Sequence, residues 1–409
     1  MAAPVRSPFV RILVSAGEVS GDVAGARLAR ELRARREDVS LLGLGGPRMA
    51  EAGVEILRDT NSLGTVGISE SFRVAPALVR AFATVRERVA AEPPDVAVLI
   101  ANDVFHVALG RWLRRRGVPT VSYFPPQVWI WRSLARLFAP SFDEVLTSFP
   151  DEEKVWRKAG CSTTFVGHYL GDLLRPASDG QKSAARAALG LDGGPLVALL
   201  PGSRRHEVRR LAPVLLDAAR LLHEADPLLR FVLPVAEPLF AAEIDALVAG
   251  RGLAGAVSTV SRSHDALRAA DLALLASGTA SLEAALLGTP MVVVYRVAAL
   301  TIGVVRAAIA LDLIDSDTVA LPNLVLHRRV VPELTQGDVA GAKIAAAAAP
   351  LLASAADRER QRQALGEVSR LLWAGGSDAR AAEAILAVAD RRAVPAPDLA
   401  TAVTAGEES

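Results

Sequence analysis

The sequence predicts an α/β protein made of two doubly wound domains, and three observations support this prediction. Short apolar segments typical of buried strands alternate with amphipathic helical segments from the beginning of the chain. The alternation is interrupted at residues 172–194, where proline, serine, aspartate and glycine cluster, and it then resumes. Loops rich in glycine and hydroxyl side chains follow several strand segments, and parallel sheets bind ligands at these strand ends.

The first half of the chain contains a regular series of strand and helix patterns. Its predicted strands are Val10–Ser15, Ser40–Leu44, Val96–Ala101 and Thr120–Tyr123. Its predicted helices are Val23–Arg35, a stretch near Val74–Glu92, and the residues from the third strand to Arg116. Such alternation predicts a mostly parallel sheet covered by helices on both faces.

The second half repeats this organisation. Its predicted strands are Leu196–Leu200, Phe231–Val235, Ala270–Ala276 and Met291–Tyr295, with a helix at Val208–Glu224. The helical stretch Asp357–Ala389 can pack on either half, and the pattern does not decide between them. We predict an N-terminal domain at residues 1–178, a C-terminal domain at 179–365, a helical segment at 366–390 and a disordered tail at 391–409.

The composition narrows the classes of function. The single cysteine, Cys161, excludes an internal disulfide framework, and the formal net charge of +1 gives no global attraction to nucleic acid. No apolar run approaches the roughly 18 residues of a membrane-spanning helix, and the N-terminal apolar stretch is too short for a secretory signal. We therefore expect a cytoplasmic protein. Its mean hydropathy of +0.30 reflects many alanine and leucine residues or, alternatively, contact with lipid.

The most informative segment is Leu272–Arg296, which has the pattern of a strand, a loop, a helix and a second strand. In the loop, Gly278 permits close approach of a ligand, and Ser277 or Thr279 can cap the helix. Free N–H groups and the helix dipole then favour a phosphate. Glu283, one turn inside, can accept hydrogen bonds from a ribose diol. The alternative is an ordinary capped helix with Glu283 on its solvent-exposed face.

Three other loops carry polar residues suited to a sugar nucleotide. Residues Gly17–Asp22 follow the first strand, and the carboxylate of Glu18 suits sugar hydroxyls better than a phosphate. Arg204 follows the turn Leu199–Ser203 and can make bidentate contacts with a diphosphate. Asn323 lies in a loop and can hydrogen-bond a base or a sugar, although in isolation it would be an ordinary turn residue.

Two further patterns remain ambiguous. Asp315 and Asp317 match a DxD pattern that can hold a divalent cation, but two aspartates in a polar loop often occur by chance, and the six histidines lack ligand spacing. We therefore predict no metal site. The apolar segment Val297–Ile314 is either an element at a membrane surface or a buried core helix.

Six ordered motifs resemble the lipid-A-disaccharide synthases, a family of glycosyltransferases with the two-domain, Rossmann-like GT-B fold. The resemblance covers nearly the whole chain. The motifs are AGEVSGD (16–22), GLGGPRM (43–49), VGHYLGD (166–172), LLPGSRRHEV (199–208), LLASGTASLE (274–283) and LPNL (321–324).

The resemblance implies an activity and a set of residues for it. The family joins UDP-linked 2,3-diacylglucosamine to 2,3-diacylglucosamine 1-phosphate with inversion at the anomeric carbon, needs no metal or other cofactor, and works at the cytoplasmic face of the inner membrane. By motif match, the residues implied for UDP-sugar binding are Arg204, Ser277, Gly278, Thr279, Glu283 and Asn323. The residues implied for the acceptor side of the cleft between the domains are Glu18, Ser20 and Gly21.

The sequence departs from the family where the catalytic base is expected. The family pattern Asp-Ala-Pro-Asp-Phe-Asn falls on residues 101–106, which places Ala101 and Val104 at the two aspartate positions. Asp103 is our candidate for a displaced base, with His106 and Glu18 as weaker alternatives. The aromatic motif that follows the next strand, YFPPQVWIW (123–131), is also altered, with a proline where a serine is usual.

Three hypotheses follow. The first is lipid-A-disaccharide synthesis with Asp103 as base. The second retains the UDP-sugar donor and changes the acceptor to another lipid or sugar. The third is a UDP-sugar-binding protein without catalysis. The sequence leaves the acyl-chain length and the oligomeric state open.

Overall fold

The computed structural model describes residues 9–60, 68–101, 103–126, 128, 132–191, 193–203, 205–235, 240–296, 318–373 and 375–393. These residues form two compact units. The first unit contains residues 9–169 and 375–393, and the second contains 170–296 and 318–373. The predicted boundaries at 178 and 365 stay predictions. The apolar segment Val297–Ile314 and the DxD pair Asp315 and Asp317 lie outside the described residues.

The first unit is built on a parallel sheet of seven strands in the order β3-β2-β1-β4-β5-β6-β7. Parallel pairing joins all of the neighbours. The strands are β1 Val10–Ala16, β2 Val39–Gly45, β3 Glu55–Asp59, β4 Val96–Ile100, β5 Thr120–Tyr123, β6 Glu144–Thr147 and β7 Ser162–Phe165.

Helices cover this sheet, as the alternation predicts. They are α1 Val19–Arg35, α2 Pro47–Glu51, α3 Ile68–Ala91, α4 Asp103–Arg114, α5 Arg132–Phe138 and α6 Pro150–Lys158. The short helix α7, Tyr169–Leu173, follows where the sequence passes to the second unit. The central strands β1 and β4 are buried along most of their length, which is why they appear in the sequence as continuous apolar runs.

The second unit contains a parallel sheet of six strands in the order β10-β9-β8-β11-β12-β13. The strands are β8 Leu196–Leu200, β9 Arg230–Pro234, β10 Val257–Val260, β11 Leu272–Ala276, β12 Met291–Tyr295 and β13 Glu333–Thr335. The helices are α8 Asp179–Ala188, α9 Arg205–Ala225, α10 Ala241–Ala249, α11 Ser263–Ala269, α12 Thr279–Leu286, α13 Leu321–Leu326, α14 Gly341–Ala353 and α15 Ala355–Leu372. The predicted α/β class with two parallel-sheet, Rossmann-like domains is confirmed.

The half-buried carboxylate of Asp271 connects three elements of the second unit. Asp271, just before β11, accepts hydrogen bonds from Lys182 Nζ at 2.6 Å, Arg186 Nη2 at 2.5 Å and Leu196 N at 2.9 Å. Burial by itself raises the pKa of Asp271, but the hydrogen bonds from Lys182 and Leu196 and the charges of both basic residues outweigh it and lower the pKa. The network attaches α8 to the amino ends of β8 and β11.

The two C-terminal helices belong to different units. Helix α15 belongs to the second unit, where the Gln361 side chain accepts from Met291 N at 2.6 Å and donates to Met291 O at 3.3 Å. Helix α16, Ser377–Ala393, belongs to the first unit, where Asp378 forms an ion pair with Arg27 at 2.6 Å. The structure thus decides the packing that the pattern of Asp357–Ala389 left open. None of the helices described here is long and apolar enough to cross a membrane.

Candidate active site

The first unit has its topological switch point between β1 and β4. The chain adds β2 and β3 on one side of β1 and then begins β4 on the other side, so the loops after β1 and β4 diverge. Ala16, the last residue of β1, pairs with Ile100, the last residue of β4. Ligands of doubly wound sheets bind in the crevice that such diverging loops leave open.

The glycine-rich loop after β1 packs closely on this switch point. A Cβ atom added to Gly21 would lie 3.2 Å from Ala16 Cβ and 3.5 Å from the carbonyl oxygen of Ile100. Glycine at this position therefore lets the first turn of α1 approach both central strands. Glu18 is the residue before α1, and its Oε1 accepts a hydrogen bond from Ser20 Oγ at 2.6 Å. The three predicted acceptor-side residues Glu18, Ser20 and Gly21 are thus held in one turn.

Asp22 connects two of the sequence motifs. Its carboxylate is fully buried and accepts hydrogen bonds from the backbone N–H groups of Gly46, Arg48 and Met49 at 2.8, 3.2 and 3.0 Å. These donors form the first turn of α2, whose dipole favours a negative charge at this end. The last residue of AGEVSGD therefore holds the loop of GLGGPRM, and its role is structural.

The residues after β4 and β5 adopt a strained backbone. Ala101 and Phe124 both have φ of +53°, a left-handed conformation that costs a non-glycine residue about 1–2 kcal/mol. The N–H of Ala101 donates to Tyr123 O at 3.3 Å, so the two turns are neighbours. Strain of this kind is concentrated at functional sites.

His106 is buried directly behind the Ala101 turn. It lies in the first turns of α4, is 2 % exposed, and contacts the Ala101 carbonyl oxygen through Nδ1 and Ser15 Oγ, at 2.8 Å, through Nε2. Burial lowers the pKa of His106 to about 4, only partly offset by the hydrogen bond to Ala101. Because both ring nitrogens are engaged inside the protein, the geometry argues against His106 as the base.

Asp103 begins helix α4, directly after the switch point. Its side chain lies outside the described residues, as does Asn102, so its role as base stays a prediction. The VGHYLGD motif lies in the same unit up to Tyr169, where the buried rings of His168 and Tyr169 pack against Phe124 with centroids 5.1 and 5.7 Å away.

The second unit has an equivalent switch point between β8 and β11. Leu200, which ends β8, pairs with Leu275 in β11, so the turns of LLPGSR and LLASGT follow side by side. Gly202 has φ of +111°, and an added Cβ would lie 2.7 Å from Glu207 Cβ and 2.5 Å from its Oε2. The turn after β8 therefore requires glycine. Arg204, the residue predicted to contact the diphosphate, lies outside the described residues.

The loop after β11 places its small residues at the start of α12. Gly278, with φ of +134°, precedes the helix, and both Gly278 and Thr279 are exposed. Ser277 is committed to the fold, because its N–H donates to Val294 O at 2.9 Å and its hydroxyl donates to Val319 O at 2.6 Å. The exposed first turn of α12 has the helix-terminal N–H groups and dipole that bind phosphates.

Glu283 is paired with a histidine that the sequence analysis did not select. Glu283 Oε1 lies 3.3 Å from Nε2 of His264 in α11, and the two side chains are 18 % and 31 % exposed. This is an ion-pair distance without hydrogen-bond geometry, and within the described part of the chain Nε2 has no hydrogen-bond partner. The sequence signal that could have identified His264 is its position at the start of α11, shortly after the end of β10.

Asn323 is placed differently from the prediction that it contacts a base or sugar. It is 1 % exposed, and its amide nitrogen donates to Val331 O at 3.0 Å and Glu333 Oε1 at 2.7 Å. Its amide oxygen accepts from the N–H groups of Val330 and Val331 at 2.7 and 2.9 Å. Both donors and both acceptor positions are used within the unit, so the described arrangement leaves the amide no capacity for a ligand.

Glu333 completes this arrangement and was also missed by the sequence analysis. Its carboxylate accepts from Asn323, from Ala320 N at 2.8 Å and from Val319 N at 3.1 Å. Ser277 donates to the carbonyl of the same Val319. Hydrogen bonds therefore connect the LPNL segment to the loop after β11. They run from Asn323 through Glu333 and Val319 to Ser277.

Comparison with known proteins finds relatives that match nearly the whole chain. The family model for lipid-A-disaccharide synthetase matches residues 12–386. The lipid-A-disaccharide synthase of Geobacter sulfurreducens is 40% identical over 92% of this chain and 96% of its own length. The chain belongs to the lipid-A-disaccharide synthetase family. The lipid-A-disaccharide synthase of Pseudomonas putida is 39% identical, with coverage of 92% and 98%.

Solved structures show the same fold at much lower sequence identity. The UDP-N-acetylglucosamine 2-epimerase of Neisseria meningitidis, solved with UDP-N-acetylglucosamine, superposes with a TM-score of 0.62 at 12% identity and covers 92% of this chain and 100% of its own. Membership of the lipid-A-disaccharide synthetase family makes the chain a glycosyltransferase. The family and fold expected from the motifs are confirmed.

Proposed function

We propose that the protein transfers 2,3-diacylglucosamine from its UDP conjugate to 2,3-diacylglucosamine 1-phosphate, forming a β-1,6-linked disaccharide 1-phosphate and UDP. The observation that carries this proposal is the pairing of β8 with β11, which brings the LLPGSR and LLASGT turns together at one switch point. Such a site suits a sugar nucleotide, and family membership supports its use in lipid A assembly.

The second unit supplies the donor site in this proposal. The exposed first turn of α12, with Gly278 and Thr279, receives the diphosphate together with the guanidinium of Arg204. Glu283 accepts hydrogen bonds from the ribose diol, and His264 orients its carboxylate. Ser277 and Asn323 hold the loop rather than the ligand, because their polar groups are engaged within the unit.

The first unit supplies the acceptor site. A base removes the proton of the acceptor hydroxyl, whose oxygen attacks the anomeric carbon while the bond to UDP breaks. The positive charge of Arg204 and the dipole of α12 stabilise the negative charge that develops on the leaving diphosphate. We assign the base to Asp103 at the start of α4, with the Glu18 turn beside the same switch point.

The location follows from the substrates. Both sugars carry acyl chains, so we propose that the enzyme works at the cytoplasmic face of the inner membrane as a peripheral protein. The apolar pattern of Val297–Ile314 supports contact with a membrane surface.

The deciding experiment measures UDP release from UDP-2,3-diacylglucosamine with and without the phosphorylated acceptor. Acceptor-dependent release with a disaccharide product is the expected result. UDP binding without acceptor-dependent release would contradict the proposal and favour the two alternatives, another acceptor or a binding protein. The specific observation behind these alternatives is that Ala101 and Val104 cannot accept a proton where the family pattern has aspartates.

Asp103→Asn tests the proposed base. We expect kcat to fall by about 100-fold or more while the affinity for UDP stays within about twofold, because a general base acts only in the chemical step. Asp179→Asn, at the exposed start of α8, is the matched control and should keep full activity. An Asp103→Asn enzyme with wild-type turnover would remove Asp103 from the mechanism.

A further inference from the structure

A buried hydrogen-bond chain connects the ends of β1 and β4 in the first unit. Ser15, fully buried in β1, contacts His106 Nε2 at 2.8 Å, and His106 Nδ1 contacts the carbonyl oxygen of Ala101. A carbonyl oxygen only accepts, so Nδ1 carries the proton. Nε2 is then the acceptor and the Ser15 hydroxyl donates to it.

The hydrogen-bond chain from Ser15 through His106 ends on Ala101, the residue with the strained backbone. Ala101 has φ of +53°, a conformation that glycine adopts freely and alanine does not. Its N–H donates to Tyr123 O at 3.3 Å, and its carbonyl accepts from His106. The peptide groups on both sides of Ala101 are therefore hydrogen-bonded. Helix α4 begins two residues later at Asp103.

We propose that His106, oriented by Ser15, is a positioning residue that holds the left-handed turn at Ala101 and so sets where α4 begins at the switch point. The inference rests on the proposed function, because it gives this turn a part in the transfer reaction. His106 does not exchange a proton with substrate. It acts through the backbone of Ala101, which carries the chain directly into the predicted base.

Two properties of His106 support a positioning role. The ring is 2 % exposed, so a substrate hydroxyl cannot reach either nitrogen. Burial lowers its pKa to about 4, which keeps the ring neutral at physiological pH and preserves the single tautomer that the two hydrogen bonds require.

The first test is His106→Leu, which places an apolar side chain of similar size in the site and removes both hydrogen bonds. We expect kcat for acceptor-dependent UDP release to fall about 30-fold or more, with UDP affinity within about twofold of wild type. The matched control is His223→Leu in the second unit, where Nδ1 also contacts a backbone carbonyl, Leu229 O, at 3.1 Å. Wild-type kcat in His106→Leu would overturn the proposal.

The second test separates positioning from a general loss of packing. Ala101→Gly in the His106→Leu background should restore at least about tenfold of the lost kcat, because glycine takes the left-handed conformation without support. His106→Asn should also be milder than His106→Leu, since its amide retains a donor toward the Ala101 carbonyl. Failure of both rescues would show that His106 is needed for something other than this turn.

A third measurement does not depend on activity. Amide hydrogen exchange in residues 101–106 should become faster in His106→Leu and slow again when Ala101→Gly is added, while the second unit stays unchanged. Unchanged exchange at these amides would contradict the inference. A wild-type protein without acceptor-dependent UDP release would contradict the proposed function alone, because the exchange result still tests the role of His106 in holding the turn.

Discussion

At the scale of single residues, the structure separates the more exposed side chains of the predicted ligand site from polar side chains that are hydrogen-bonded within the fold. Glu283 and Thr279 lie at or near the exposed start of α12. By contrast, the side chains of Ser277 and Asn323 form hydrogen bonds within the second unit. In the first unit, Asp22 is likewise a residue that supports the fold, because its carboxylate caps α2. Motif membership alone does not make this separation, because a residue that supports a site and one that touches the ligand occur in the same short motifs.

Glu283→Gln tests the ribose contact. We expect UDP affinity to fall by about tenfold, because a charged acceptor of two hydroxyls becomes a neutral amide with one acceptor oxygen. His264→Leu should weaken UDP binding by a smaller factor, since it removes the partner at 3.3 Å rather than the acceptor. Both are measured by calorimetric titration with UDP. Glu367→Gln, in an exposed ion pair with Arg328, is the control, and equal losses in all three variants would refute the assignment.

At the scale of elements, several loops are held by hydrogen bonds to buried or half-buried polar side chains. Asn323 and Glu333 fix the segment 319–324 before α13, and Ser277 joins it to the loop after β11. The Asp271 network does the same at the amino ends of β8 and β11. Buried polar groups are costly when a partner is removed, so these networks predict measurable effects on stability.

Asn323→Ala should destabilise the second unit by about 2 kcal/mol, because it leaves the N–H groups of Val330 and Val331 without their acceptor and removes one of the two donors to Glu333 Oε1. The change is measured by urea unfolding, followed by far-ultraviolet circular dichroism. The control is Gln363→Ala, whose exposed amide donates to Glu359 Oε1 at 3.5 Å and whose loss should alter stability by less than about 0.5 kcal/mol. Equal stability of the two variants would contradict the role given to Asn323.

Asp271 predicts how stability changes with pH. Its pKa in the folded protein lies below the ordinary value of 3.8, so it stabilises the fold at pH above 3.8. That contribution is lost as pH falls through the folded-state pKa, where the carboxylate takes up a proton. The urea midpoint of wild type should therefore fall more steeply below about pH 4 than that of Asp271→Asn. Parallel pH profiles would show that Asp271 does not contribute.

At the scale of the whole molecule, the chain returns to its first unit after completing the second. Helix α16 lies in the first unit, held by the Arg27–Asp378 pair at 2.6 Å, by Arg36 and Asp390 at 2.6 Å, and by Arg380 donating to Phe165 O at 2.9 Å. The hydroxyl of the buried Tyr123 also contacts Asp378 at 3.4 Å. The last helix is therefore a component of the N-terminal sheet domain.

Asp378→Ala should weaken this attachment. We expect a loss of about 1–3 kcal/mol, since Asp378 is nearly buried and its removal leaves Arg27 and Tyr123 without that partner. Hydrogen exchange should become faster in α1 and α16 and stay unchanged in the second unit. Asp390→Ala removes an exposed ion pair and should cost less than about 0.5 kcal/mol. Faster exchange in the second unit instead would contradict the assignment of α16.

The sequence alone determined the alternation of strands and helices, the two-domain α/β class and the family. Buried parallel strands are short apolar runs, and the motifs at their ends occur in a fixed order, so both are visible without coordinates. The predicted strand Val96–Ala101 ends one residue earlier, because Ala101 turns left-handed. The residue type alanine does not reveal this conformation, whose two flanking peptide groups are hydrogen-bonded to Tyr123 and His106.

Only the tertiary structure decided which polar residues are hydrogen-bond or ion-pair partners and which unit each C-terminal helix joins. Three examples are the pairing of Glu283 with His264, the hydrogen bonds of Asn323 to Val331 and Glu333, and the placement of α15 and α16 in different units. None of these contacts follows from the period of a strand or a helix. The physical reason is that a side chain's role depends on its partners and its burial. A linear pattern specifies the period and the residue type, whereas the sheet order determines which strand ends become neighbours.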